Sequence, residues 1–138
     1  MVSQHNPIKL ISLHEIEGKI SPHTNHLKHQ LQERIAAFEY VYNIAGLADY
    51  IGGEIEDLNT GDWAIKKTIF PEVCIHFIYQ HGDDEFPASL RILYSGERVK
   101  QLSGEDLSGI TINCVNHMLR GIREANPETK LPDVCYKM

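Results

Sequence analysis

Val73-Cys74-Ile75-His76-Phe77-Ile78-Tyr79, then His81-Gly82-Asp83-Asp84-Glu85-Phe86-Pro87, then Ser89-Leu90-Arg91-Ile92-Leu93-Tyr94 is the stretch that decides the fold. Val73, Ile75, Phe77 and Tyr79 alternate with Cys74, His76 and Ile78. After the turn, Leu90, Ile92 and Tyr94 alternate with Ser89 and Arg91. A period of two on both sides of a Gly- and acid-rich turn predicts an antiparallel hairpin. Upstream, Trp63, Ile65 and Ile69 alternate with Lys66 and Thr68, which predicts a strand ending near Phe70-Pro71. Downstream, Ser95-Gly96-Glu97 reads as a second turn leading into a short strand at Arg98-Val99-Lys100-Gln101-Leu102. The result is a meander of three to four strands.

Two amphipathic helices flank it. Ser21-Pro22 places a capping hydroxyl before a proline at the first helical position. From there Leu27, Leu31, Ile35, Phe38, Tyr42 and Ala45 recur at spacings of four and three, and Gly52-Gly53 ends the predicted helix. Ser103-Gly104-Glu105-Asp106 predicts a second N-terminus, with Leu107, Ile110, Cys114, Val115, Met118 and Ile122 as its apolar face and Asn126-Pro127 as its stop. Ile8 to Leu13 reads either as a short strand or as the start of a helix, and 128–138 as irregular. Residues 1–138 are expected to form one α+β domain, an antiparallel meander packed on two helices.

Composition narrows the function classes. Thirteen basic against nineteen acidic residues leave a net charge of −6, and no basic stripe is present to displace counterions from phosphates, so nucleic acid is not an expected partner. No apolar run approaches the roughly 18 residues of a membrane span, and the N-terminus lacks a signal-peptide pattern. Three cysteines without a CxxC pair fit reduced thiols in the cytoplasm.

Chemistry-bearing residues fall into three groups. Cys74 and His76 share a predicted strand face, and Cys114 and His117 share a predicted helix face; were the faces to meet, two thiolates and two imidazoles could hold zinc. The alternative is that both pairs are core residues, since free cysteine is commonly buried. Among eight histidines, His23, His26 and His29 recur every third residue. His26 and His29, with His76, are candidate ligands for a transition metal or haem iron, or else solvated residues at a helix start. Asp84, Glu85 and Phe86 in the turn are candidate binding residues. The competing reading there is a solvated turn that Phe86 and Pro87 dock onto the sheet, with Asp84 and Glu85 orienting it through backbone hydrogen bonds. No nucleophile elbow, phosphate loop, dinucleotide fingerprint or HExxH is present, so no catalytic residue is assigned. An enzyme would need Glu54, Glu56 or Asp57 to share a cleft with Asp83, Asp84 or Glu85.

Gly52-Gly53, Phe70-Pro71, the Gly-Asp-Asp-Glu-Phe-Pro turn, Ile92-Leu93-Tyr94 and Leu102 to Asp106 together resemble an uncharacterised prokaryotic family defined as a domain of unknown function (DUF3786), over roughly 52–107. The resemblance implies a cytoplasmic protein. It also implies an association with corrinoid or iron–sulfur proteins of anaerobic metabolism, and hence a small accessory module. Such a module would bind a metal- or tetrapyrrole-type cofactor (haem, corrinoid or a transition metal) or the protein that carries it. The alternatives are a protein-interaction or homodimerisation module, and a carboxylate-dependent enzyme.

Overall fold

The computed structural model describes residues 9–18 and 20–138. Four strands, β1 (Glu54–Glu56), β2 (Trp63–Phe70), β3 (Val73–Gln80) and β4 (Ser89–Ser95), form a wholly antiparallel sheet in chain order. Trp63 pairs with Tyr79, Ile65 with Phe77, Phe77 with Ile92 and Ile75 with Tyr94. This register puts the alternating apolar residues on one face, as their spacing predicts. The chain is α+β.

That face is covered by helices α1 (Leu13–Glu17), α2 (Pro22–Arg34), α3 (Ile44–Ile51) and α4 (Gly104–Ala125). Ile65, Ile75, Phe77, Tyr79 and Tyr94 meet Phe38, Leu107, Val115, Met118 and Leu119 in one core, every one of them fully buried. Each such side chain contributes about 1.5–3 kcal/mol relative to exposure. Two buried polar atoms in the aromatic corner of this core, Trp63 Nε1 and Tyr79 OH, have no hydrogen-bond partner among the described residues. The core tolerates that cost.

Several expectations are corrected. The single helix predicted from Ser21 to Gly52 is three pieces: α2, a 3-10 turn over Ile35–Tyr40, and α3. Glu39-Tyr40-Val41-Tyr42 is a poor helix segment of aromatic and β-branched residues. Val41 is extended there, and the Asn43 side chain accepts the Gly46 N–H at 3.0 Å to start α3 afresh. The glycine stop holds, with Gly52 left-handed at φ 71°. Ser21 precedes Pro22 but does not cap; its hydroxyl donates to Gly18 O instead, at 2.6 Å.

The fourth strand is Glu54–Glu56, on the β2 side, and not the predicted Arg98–Leu102; the segment Val99–Gln101 is a 3-10 turn. After β4 the chain turns so tightly at Gly96 (φ 114°) that a Cβ there would stand 1.9 Å from Glu72 O, which also accepts the Arg98 N–H at 3.2 Å. The segment is thereby steered under the β2–β3 turn and away from the sheet edge. Ser103 caps α4 by accepting the Asp106 N–H at 3.0 Å, and the helix ends at Asn126. Ile11 forms one antiparallel bridge to Tyr94 before Ser12 caps α1, so the N-terminal segment is part strand and part helix start; Ile8 lies outside the described residues. The tail is not irregular throughout. It carries a short helix α5 (Val134–Lys137), with Leu131 and Cys135 buried.

No helix among the described residues is long and apolar enough to cross a membrane.

Candidate functional site

The sheet face on which no helix of the described residues packs carries Glu56, Ala64, Lys66, Cys74, His76, Ile78, Leu93 and Ser95, as the strand registers require. Its centre is polar. His76 Nδ1 hydrogen-bonds the Glu56 carboxylate, and His76 Nε2 lies 2.6 Å from Ser95 Oγ. Glu56 reaches across the small, buried Ala64, and Ser95 stands diagonal to His76 because Leu93 is its direct partner. In a neutral ring Nδ1–H donates to the carboxylate, so Nε2 accepts the Ser95 hydroxyl proton.

This is the order of groups that activates a serine nucleophile. The surroundings differ from an active site, because His76 is 1% and Ser95 3% exposed and the clefts described below lie elsewhere. The chemistry available to it is that of a buried clasp joining β1, β3 and β4.

The sequence candidates do not converge. Cys74 and His76 are on the open face, whereas Cys114 and His117 are on α4, behind the sheet. Among the described residues no group of three or more His, Cys, Asp or Glu is placed to hold a metal ion. His76 has both ring nitrogens engaged within the protein. His26 and His29 are exposed on α2, and His29 faces Glu33 on its own helix at 3.2 Å. His23 instead turns back to α1, 2.6 Å from Glu17, whose carboxyl is held below its usual range by bonds from His23 and Thr24 in spite of burial.

The hairpin turn also differs from expectation. Asp83 orients it: its carboxylate accepts the N–H groups of Glu85 and Phe86 at 2.8 and 2.7 Å, which holds its pKa down. Asp84 and Glu85 are exposed, and Phe86 is 68% exposed and does not dock. Glu56 is committed to His76, away from these acids.

Two concavities stand out. The larger in apolar character is a groove of about 410 Å³ between α2 and β4. Leu27, Leu31 and Ile35 line one wall, Leu90 and Ile92 the other, and Ser12 to His14 close one end. Tyr94 exchanges both backbone bonds with Ile11, at 2.8 and 2.7 Å. By the alternation of an antiparallel strand, the N–H and C=O of Ile92 and Leu90 also point outward, and no described residue pairs with them. The second concavity, about 460 Å³ and more open, brings Cys114 and His117 together with Lys67, Arg120, Phe70 and Ile110. Burial pushes the Cys114 thiol up, and His117 packs on Tyr50 with ring centroids 4.8 Å apart.

Sequence reasoning misses the pairing of Glu56 and Ser95 with His76: Ser95 reads as part of a turn, and Glu56 as one of several acids without strand periodicity. Counting pairs back from the hairpin sets Ser95 beside His76, but Glu56 is visible only once β1 is known. The groove was missed because it needs the break after α2.

No curated protein and no solved structure matches the chain. A family model matches residues 4–117, a longer span than the motifs alone suggest. The chain belongs to the family described as a domain of unknown function, DUF3786.

Proposed function

We propose that this chain is a cytoplasmic protein-interaction module whose docking site is the groove between α2 and β4. The observation that carries the reading is an apolar groove running beside a strand edge whose outward backbone groups have no partner among the described residues. Such an edge needs covering, and a groove that combines it with apolar pockets recognises chain segments well. The cytoplasmic setting is supported by three cysteines that are all unbridged. The test is capture of random-sequence peptide pools by immobilised protein. Ile35→Glu, a half-buried groove position, is expected to abolish capture while the melting temperature moves by only a few degrees. Equal capture by the variant refutes the reading.

A second reading, a module that handles a tetrapyrrole or metal-bearing cofactor, is favoured by the concavity at His117. An imidazole, a thiol and two cations beside Phe70 and Ile110 suit an apolar ring with carboxylate substituents. An absorbance titration with haem and with cobalamin is expected to show a band shift that His117→Ala removes. No shift at micromolar concentration refutes it.

A further inference from the structure

Resting on the groove as the docking site, we infer that its occupant is an extended, acidic peptide segment that adds to β4 as a fifth strand. Three observations lead there. First, the protein itself begins such a strand: Ile11 pairs with Tyr94, and the chain then leaves as α1 because Ser12 caps that helix. The ladder stops after one residue with the next two outward positions, Ile92 and Leu90, vacant among the described residues.

Second, the shape suits a strand. The vacant edge runs from Ile92 back to Ala88, and Pro87 marks its far end. At about 3.3 Å per residue this admits roughly five residues of an antiparallel partner. The apolar wall of α2 lies to one side, so alternate side chains of the partner meet Leu27, Leu31 and Ile35, and the others face outward.

Third, the charge is one-signed. Lys28 from α2 and Arg91 from the outer face of β4 border the groove and no carboxylate lines it, although the chain as a whole carries −6. Positive rims in an acidic molecule select partners by charge and steer their approach. A basic segment would be drawn by the acidic molecule as a whole but would meet cations at the groove itself, so the local charge is what favours an acidic occupant.

The experiment uses capped peptide pools in which apolar residues alternate with glutamate, with lysine or with serine, titrated against the full chain by fluorescence anisotropy. The glutamate pool is expected to bind tightest and to weaken with salt. The double variant Lys28→Glu, Arg91→Glu, at two exposed positions, is expected to lose on the order of tenfold for the glutamate pool and to gain for the lysine pool. Two further glutamate pools, N-methylated at odd or at even positions, read the backbone: strand addition predicts that one loses binding and the other keeps it. Equal binding by both methylated pools overturns strand addition and leaves groove docking standing. Equal binding of glutamate and lysine pools overturns the acidic preference. Binding by none of the pools overturns this inference together with the reading it rests on.

Discussion

His76 is the residue whose surroundings carry most consequence for stability. A buried imidazole with two satisfied nitrogens is neutral to the fold while its partners remain, but removing one partner leaves polar atoms without water or protein. His76→Phe strands both the Glu56 carboxylate and the Ser95 hydroxyl, and is expected to cost about 3 kcal/mol in urea denaturation. Ser95→Ala strands only Nε2, and is expected to cost about 1–2 kcal/mol. If both variants matched the parent, the clasp would have no structural role. At the hairpin the expectation runs the other way. Phe86 is exposed, so Phe86→Ala is expected within about 0.5 kcal/mol of the parent. Asp83→Ala, which releases two backbone N–H groups, should lower the melting temperature more, as a calorimetric scan of the two variants would show.

Between elements, the buried bond from Tyr94 to Thr111 (2.7 Å) joins β4 to α4. Burial pushes the Tyr94 hydroxyl up to about 12. Above about pH 10 the unfolded chain loses this proton while the folded chain keeps it. The unfolded state then binds fewer protons, so stability falls as pH rises from about 10 to about 12 and levels beyond. Tyr79, also raised by burial, acts in the same direction. The loss attributable to Tyr94 is on the order of 2–3 kcal/mol. Tyr94→Phe is expected to flatten that part of a denaturation series taken across this range, and an unchanged slope would contradict the assignment. The tail makes a further case, since Leu131 is buried beneath α5. Leu131→Ala is expected to cost about 2–4 kcal/mol in the same assay.

The elements differ in how legible they were. β2, β3 and β4 announce themselves because a half-buried strand must alternate, and α4 because its cap, apolar stripe and stop all agree. The break at Val41 was hidden because the apolar spacing continues through it: Phe38 is buried, yet Tyr42 ends 77% exposed. β1 was hidden because two of its three residues are glutamates, held in the sheet by pairing with Lys66 and Ala64 and by the tertiary pull of His76. The site followed the same rule. Residues on one strand face could be grouped from sequence, whereas which face meets α4 could not, and the four-residue Cys/His cluster failed on that point.

At the scale of the whole molecule, helices cover one sheet face and the His76 clasp occupies the other, while the β4 edge carries a hydrogen-bond ladder that stops after Tyr94 among the described residues. The groove-lining residues all fall within the 4–117 span of the family match, so the proposed docking site lies in the part of the chain that the family model covers. The most direct measurement is hydrogen exchange at the backbone amides of Ile92 and Leu90, read by NMR with and without the glutamate-containing peptide pool. Slowing of both amides on peptide addition, with their strand neighbours Leu93 and Arg91 unchanged, is the predicted result. Binding that leaves Ile92 and Leu90 exchanging as fast as before would contradict it.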